Sequence, residues 1–262
     1  MTTVAFMSDL HIDSNNFGKE EIETLITLFL QQNIQHLHIA GDIANGFERT
    51  SQEFLDQLQC HLPVTFSLGN HDMLGLSEET IRPFEFQKIS FSNHTLLAFS
   101  GWYDYSFVPT ISPQKHLQTK NLFWFDRRLQ RMGSDPAITQ RLLQELETEL
   151  MQVDQPLIIA MHFVPHSQFL LRHPYFERFN AFLGSQSFHE LLFQLLQKIL
   201  GNGWIRSPSL EASVKPKQIL GLEMFLGRDS RNKAVVIPAR KSKKRMIGEG
   251  NLLKFKRSYG FF

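Results

Sequence analysis

The hydrophobic pattern of the first 70 residues alternates between short apolar runs and longer amphipathic segments. Apolar runs at residues 3–7, 36–40 and 64–68 predict buried strands. Apolar residues at helical spacing predict helices over residues 19–32 and 49–58. Strands that alternate with helices in this way predict an α/β fold with parallel strands.

The pattern continues further along the chain with a less regular spacing. Residues 88–91 and 95–100 predict a pair of strands, and residues 156–161 predict another strand. Asp135 followed by a proline predicts the start of a helix, and a second helix is expected from Ser187 to about residue 200. The stretch between residues 101 and 133 is rich in aromatic residues and is expected to be a loop-rich cap, in which packing is favoured over stacking on a base.

Polar residues follow the predicted strands at the point where each strand ends. In chain order they are Asp9 and His11, Asp42, Asn70, His71 and Asp72, and His162. Because open α/β sheets bind ligands at the carboxyl ends of their strands, we expect these side chains to lie together. Carboxylates combined with imidazoles suit Mn, Fe or Zn better than Ca.

Each of these groups has a simpler explanation when it is taken alone. Asp9 could cap a helix, Asp42 could occupy a turn, and His162 could be a core histidine. Asn70 and His71 could form a plain turn, whereas in the functional interpretation Asp72 orients and charge-stabilises the imidazole of His71, as in other histidine–carboxylate pairs. Four such groups, each separated by about one strand–helix unit, indicate a single site.

Together, Asp9 and His11, Gly41-Asp42, Gly69-Asn70-His71-Asp72 and His162 resemble the first four signature blocks of calcineurin-like metallophosphoesterases. The resemblance spans residues 1 to about 170. It implies a four-layer α/β/β/α sandwich of two mixed sheets flanked by helices. It also implies a metal-dependent phosphoesterase that hydrolyses a phosphomonoester or phosphodiester by attack of a hydroxide shared between two metal ions.

The resemblance implies a role for each ligand. Asp9 and His11 bind the first ion, Asp42 bridges both ions, and Asn70 and His162 bind the second. The cofactors are then two divalent ions, chosen among Mn, Fe and Zn with Mn favoured. The resemblance implies that His71 assists the leaving group or stabilises the transition state. His71 and Asp72, which could orient its imidazole, are therefore the candidate catalytic residues.

Members of this family close the site with a fifth block, Gly-His-x-His, which serves both metals. This chain has no histidine after His189. We therefore expect weak metal binding and poor activity. The alternative function is a non-catalytic or weakly active phosphoryl-binding protein on the same fold, and a nuclease of the same superfamily is a third possibility.

The charge of the chain changes sign near residue 197. Residues 1–196 hold 12 Lys and Arg against 22 Asp and Glu, whereas residues 197–262 hold 15 against 4. We divide the chain into a metallophosphoesterase domain at residues 1–200, incomplete at its C-terminal end, and a basic tail at residues 201–262. Its only strand candidate is Val235-Val236-Ile237.

Three interpretations of this tail stay open. It can be a frameshifted end, a native basic segment that binds nucleic acid or an acidic partner, or part of a natural variant whose metal site is completed by His166, His189 or a partner chain. Otherwise His166, His173 and His189 are interpreted as structural or exposed.

Cysteine content and hydropathy indicate the cellular compartment expected for the protein. The single cysteine, Cys60, excludes an intramolecular disulfide and a cysteine-based zinc site. No secretory signal and no bilayer-spanning run is recognised, so a cytoplasmic protein without a membrane partner is expected. The expected partner is a phosphate-ester substrate, nucleic acid is not favoured, and the sequence does not give the oligomeric state.

Overall fold

The structure is a computed structural model that describes residues 3–47, 49–92, 94–153, 156–201, 222–226 and 235–236. The strands are β1 (Val4–Met7), β2 (His36–Ala40), β3 (Val64–Ser67), β4 (Gln87–Ser90), β5 (Thr95–Phe99), β6 (Leu157–Met161), β7 (Leu222–Leu226) and β8 (Val235–Val236). The helices are α1 (Lys19–Gln31), α2 (Arg49–Gln59), α3 (Glu78–Ile81), α4 (Pro113–Phe123), α5 (Asp135–Leu150) and α6 (Gln186–Gly201). Among these helices, none combines the length and apolar character needed to cross a membrane.

The strands form two four-stranded sheets. The first has the order β3-β2-β1-β8, and all of its described pairs are parallel. The second has the order β4-β5-β6-β7, in which the central pair β5–β6 is parallel and both outer pairs are antiparallel. The second sheet is therefore mixed, as expected, but the first is parallel over its described strands.

Alternating side chains along the strands build the layers. On β1, Ala5 and Met7 pack with the buried faces of α1 and α2, whereas Val4 and Phe6 point the other way and pack against Leu96 of the second sheet. On the far side of the second sheet, buried side chains of β5 and β6 pack with α5 and α6. Because each sheet is covered on both faces, the architecture is the predicted α/β/β/α sandwich.

Three of these elements, α3, α4 and β7, were not predicted from the sequence. The aromatic stretch contains the helix α4, which Ser112 caps by accepting a hydrogen bond from the backbone of Lys115, with Pro113 as its first residue. Strand β7 was missed, and it pairs antiparallel with β6, whereas β8 falls on the predicted Val235-Val236 strand and pairs parallel with β1. The basic cluster at residues 241–245 and most of the tail lie outside the described residues, so the division at residue 200 stays a prediction.

The aromatic stretch is fastened to the body by one buried carboxylate. Asp135, the first residue of α5, accepts hydrogen bonds from the indole of Trp102 (2.9 Å), the hydroxyl of Tyr105 (2.5 Å) and the ammonium of Lys120 (2.6 Å). Trp102 and Tyr103 are fully buried. These aromatic residues therefore pack in the core, and stacking on a ligand is excluded for them in this conformation.

Candidate metal centre

The ends of β1 and β2 are joined by the backbone directly below the candidate ligands. The amide of Asp9 donates to the carbonyl of Gly41 (3.0 Å), and the amide of His11 donates to the carbonyl of Asp42 (3.0 Å). The parallel ladder thus continues past the strand ends. This continuation places the side chains of the first two sequence groups at the same edge of the sheet.

Three predicted ligands have a left-handed backbone. The φ angle is 56° at Asp9, 43° at His11 and 56° at Asp42. A non-glycine residue in this region costs on the order of 1–3 kcal/mol and is held there only by its surroundings, most often at functional sites. Of the seven non-glycine residues with positive φ in the described part of the chain, three are therefore predicted metal ligands.

The carboxylate of Asp42 lies at the centre of the site. Its Oδ2 atom is 3.5 Å from Nε2 of both His11 and His162, and its Oδ1 atom accepts the backbone N–H of His71 (2.9 Å). Two sets of ligand atoms lie within 4.8 Å of one another: one from His11, Asp42 and His71, and one from Asp9, Asp42 and His162. Asp42 belongs to both sets, as its predicted role as a bridging ligand requires.

The orientation of His162 is fixed by its other ring nitrogen. Nδ1 lies 3.0 Å from the carbonyl oxygen of Ala40, which can only accept, so Nδ1 carries a proton. Nε2 faces the Oδ1 atom of Asn70 at 3.1 Å and the carboxylate of Asp42. The site therefore gathers a ring nitrogen, a carbonyl oxygen and a carboxylate around one point, and these groups repel unless a proton or a cation lies between them.

The electrostatics of the site favour positive charge there as well. Burial lowers the pKa of His162, but the carboxylates of Asp42 and Asp9 outweigh it and raise that pKa above its ordinary value. Burial raises the pKa of Asp42, but His162, His71 and His11 together hold it below its usual range. A divalent cation coordinated by these carboxylate, imidazole and amide groups satisfies them better than a single proton, so the residues fit the implied metals.

His71 has a different partner from the one predicted. Its Nδ1 atom lies 2.5 Å from Oδ1 of Asn45. The amide nitrogen of Asn45 donates to Asp13 (2.7 Å) and Ser14 (3.0 Å), so the oxygen of Asn45 faces the imidazole and Nδ1 of His71 is the donor. The ring of Phe125 stacks on the imidazole with a centroid separation of 3.8 Å.

Asp72 holds the backbone beneath the site, and the expectation that it orients His71 is wrong. Its Oδ2 atom accepts the amides of Asp42 (2.6 Å) and Gly69 (2.9 Å), and its Oδ1 atom accepts those of Ile43 (2.8 Å) and Ala44 (3.1 Å). Burial, together with the neighbouring Asp42 carboxylate, raises the pKa of Asp72 to about 7 against the effect of these amides. Because its four donors are all backbone groups, the carboxylate joins the loop after β2 to the loop after β3.

A further buried carboxylate, Asp126, was not predicted from the sequence. It comes from the aromatic stretch and accepts the side-chain amide of Asn70 (2.6 Å) and the indole N–H of Trp124 (3.0 Å). Burial raises its pKa to about 6, while the hydrogen bond from Asn70 opposes the rise. The sequence signal for it is an acidic residue directly after Phe123-Trp124-Phe125.

The chain matches the family model described as calcineurin-like phosphoesterase over residues 2–193. The chain belongs to this family. Membership implies a dinuclear divalent metal site and, in general terms, a metal-dependent hydrolase of phosphate esters. A comparison with curated proteins found no match.

Two solved structures are similar to this chain. The phosphopantetheinyl hydrolase PptH from Mycobacterium tuberculosis superposes with a TM-score of 0.54 at 18% identity, over 71% of this chain and 76% of its own. A dimetal phosphatase from Danio rerio superposes with a TM-score of 0.44 at 16% identity, over 75% and 77% of the two chains. At such low identity, the first similarity supports the fold alone.

Within the family's expected ligand set, the structure groups the residues in its own way. It brings His11 together with His71 and Asp9 together with His162, with Asp42 common to both sets. The division of ligands between the first and second ion stays a prediction. Neither His166 nor His189 belongs to these sets in the part of the chain that the structure describes; their rings lie 4.3 Å apart and contact each other.

Proposed function

We propose that this protein hydrolyses a phosphomonoester or phosphodiester at a centre of two divalent metal ions, with Mn²⁺ the favoured metal. The observation that carries the proposal is the position of Asp42, whose Oδ2 atom lies 3.5 Å from Nε2 of both His11 and His162. When bound, two such ions supply an activated water as nucleophile and neutralise charge on the phosphoryl oxygens. The residues of the chain hold, orient and protonate the other participants.

The second-metal side is preorganised by hydrogen bonds that leave only acceptor atoms facing the centre. The bond from His162 Nδ1 to the Ala40 carbonyl leaves the Nε2 lone pair facing the centre. The hydrogen bond from the amide nitrogen of Asn70 to Asp126 leaves the Oδ1 atom of Asn70 facing the centre. Such outer partners fix the tautomer and direction of metal ligands. A metal ion would then meet ligands that need no rearrangement.

In this proposal His71 serves the leaving group. With Nδ1 committed to Asn45, its Nε2 atom is the nitrogen left for a substrate, and in the imidazolium form it donates a proton to a leaving oxygen. Phe125 fixes the plane of the ring from one face. Burial lowers the pKa of His71, which makes the imidazolium a stronger acid, and the carboxylate of Asp42 opposes this shift.

A second candidate is a phosphoryl-binding protein without turnover. The observation that favours it is the sequence beyond His189, which contains no histidine to provide the family's last two ligands. Such a protein needs the cations and the backbone amides, but it does not need His71 as an acid. It would bind inorganic phosphate in the presence of Mn²⁺ and release no product from an ester.

The deciding experiment measures hydrolysis of p-nitrophenyl phosphate and bis-p-nitrophenyl phosphate by the full chain, with excess Mn²⁺ or with chelator. Asp42→Asn is the matched variant, because it keeps the shape and removes the bridging charge. Turnover that requires Mn²⁺ and is lost in Asp42→Asn supports the hydrolase. Binding of phosphate by calorimetry without turnover supports the second candidate, and neither binding nor turnover with excess Mn²⁺ rejects both.

A further inference from the structure

The side chain of Asn70 is useful to a metal in only one of its two orientations. Its oxygen can coordinate a cation, whereas its NH₂ group carries two donors and cannot. The two ends of the amide have nearly the same size, so packing alone does not select between them. A hydrogen-bond partner that accepts but never donates would select the useful orientation.

Asp126 is such a partner. It is 1% exposed and lies on the 3₁₀ turn Phe125–Arg128, 56 residues along the chain from Asn70. Its Oδ1 atom accepts the NH₂ group of Asn70 at 2.6 Å, and the opposite end of that amide lies 3.1 Å from Nε2 of His162. If the amide of Asn70 were reversed, its oxygen would face the Asp126 carboxylate and its NH₂ group would face the metal centre.

The other oxygen of Asp126 is also occupied by a pure donor. Oδ2 accepts the indole N–H of Trp124 at 3.0 Å. Trp124 and Asn70 both donate to the side chain of residue 126, so both of its terminal atoms must be acceptors. A carboxylate has two acceptor oxygens, whereas a side-chain amide has only one. An asparagine at this position must turn its own NH₂ group toward one of the two donors.

We propose that Asp126 is the positioning residue that holds Asn70 as an oxygen ligand, while Trp124 occupies the second carboxylate oxygen of Asp126. The inference rests on the metal centre of the proposed function. It also gives the aromatic stretch a role beyond packing, because this stretch supplies the carboxylate that decides which end of the Asn70 amide faces the metal centre. In this role Asp126 is not itself a ligand, and it acts on the metal centre through Asn70.

The test compares Asp126→Asn, Trp124→Phe and the double variant with the unmodified chain. Asp126→Asn offers one acceptor to two donors. Trp124→Phe removes one of these donors and leaves Asp126 in place for Asn70. In the double variant, the one amide oxygen left at position 126 can turn to Asn70 while its NH₂ group meets no indole N–H. The double variant should therefore regain the Mn²⁺ affinity that Asp126→Asn loses.

Mn²⁺ binding to the metal-free proteins is measured by calorimetry, with thermal unfolding as a check that each is folded. We expect Asp126→Asn to weaken Mn²⁺ binding by roughly 10–100-fold, as for other outer-shell partners, Trp124→Phe to bind as the unmodified chain does, and the double variant to regain most of the loss. Unchanged affinity in Asp126→Asn overturns the proposal. So does a double variant that is no better than Asp126→Asn, because a purely structural role for Asp126 predicts no rescue.

A second measurement keeps the inference separate from the proposed function. In the metal-free protein, the ¹⁵N-labelled side-chain amide of Asn70 should show one proton shifted downfield by its short bond to Asp126. This shift should vanish in Asp126→Asn and return in the double variant. If the unmodified chain binds no Mn²⁺ at all, the proposed function fails, and the Asn70 resonances alone still support or overturn the positioning role.

Discussion

The backbone of Gly69 passes so close to Asp42 that a methyl group on Gly69 would lie 2.2 Å from the Asp42 Oδ1 atom and 2.5 Å from its backbone nitrogen. Gly41 has the reciprocal constraint, with φ at +84° and an added Cβ only 2.4 Å from the nitrogen of Gly69. The loops after β2 and β3 therefore touch through two glycines. This contact lets the Asp72 carboxylate accept amides from both loops.

Gly69→Ala should displace Asp42 and weaken Mn²⁺ binding by at least tenfold, because the clash is with backbone and with a central ligand. Gly75→Ala is the matched control: its φ is +81° but an added Cβ meets nothing within 4 Å. It should cost only about 1–2 kcal/mol of unfolding free energy for its left-handed backbone and leave metal binding unchanged. Calorimetric Mn²⁺ titration and denaturant unfolding separate the two effects, and equal metal affinity in both variants would contradict the argument.

Asn45→Ala should lower turnover while leaving the fold intact. Without its oxygen the His71 Nδ1 proton loses its partner, so the tautomer and direction of the ring are no longer fixed. A loss in kcat on the order of 10²-fold is expected, the scale of a misplaced general acid, with little change in Mn²⁺ affinity. Steady-state kinetics with p-nitrophenyl phosphate in excess Mn²⁺ measures it, and an unchanged kcat would remove Asn45 from the mechanism.

Asp72→Asn should act on stability instead of proton transfer. Four backbone amides point at this carboxylate, and an asparagine would turn an NH₂ group toward two of them. Leaving buried donors unpaired costs about 1–3 kcal/mol for each group, so the unfolding free energy should fall by several kcal/mol. If Asp72→Asn unfolds like the unmodified chain and loses only turnover, the orienting role predicted from the sequence would be restored.

The predicted ligands could be found from sequence because they follow buried strands directly. Parallel strands end at one edge, so Asp9, Asp42, Asn70 and His162 meet wherever the sheets pack correctly. The layers follow from the same pattern. The charge repulsion and backbone strain that result at Asp9 and Asp42 are consequences of that meeting, and no local pattern indicates them.

The groups that orient these ligands could not be found in the same way. Asn45 and Asp126 come from loops, and their position depends on how Phe125 packs on His71 and how Trp102 is fastened to Asp135. Nothing in the spacing of Gly69-Asn70-His71-Asp72 shows that Asp72 turns toward backbone amides. Adjacency in sequence favoured a His–Asp pair, but Asp72 accepts the backbone N–H of the left-handed residue Asp42 at 2.6 Å.

His38 should make the protein sensitive to acid. It is fully buried between the sheets, where Nδ1 contacts the hydroxyl of Thr65 (3.0 Å), and burial with the nearby His36 lowers the pKa of His38 to about 3 from its ordinary value of 6.5. Between these values the unfolded chain binds a proton that the folded chain does not. Stability is therefore lost as the pH falls from 6.5 toward 3, by about 2 kcal/mol at pH 5 from this residue.

His38→Asn should reduce the loss of unfolding free energy between pH 7 and pH 5 by about that amount, whatever its effect at pH 7. His61→Gln is the control, since His61 is exposed and should leave the pH dependence unchanged. Urea unfolding at both pH values measures it. An identical pH dependence in His38→Asn and the unmodified chain would show that the buried imidazole is not the acid-sensitive group.

Metal removal should be easy and its effect reversible. Among the described residues, Asp42 is available to both ions, but neither ion has the imidazole that the family's fifth block provides. We therefore expect the ions to leave during dialysis. Elemental analysis after dialysis should find fewer than two ions per chain. Restoring Mn²⁺ to about 100 times its Kd should then raise the unfolding free energy by about 2.7 kcal/mol, because only the folded chain assembles the ligands.

Asp42→Asn is the control for that gain, since it removes the one carboxylate common to both ligand sets and should show almost no stabilisation by Mn²⁺. Two ions retained through dialysis would contradict weak binding, and would mean that a group outside the described residues completes the coordination. A stabilisation that Asp42→Asn keeps would place Mn²⁺ elsewhere on the protein. Activity that appears only in excess Mn²⁺ and disappears on dialysis, in parallel with the stabilisation, would tie turnover to this centre.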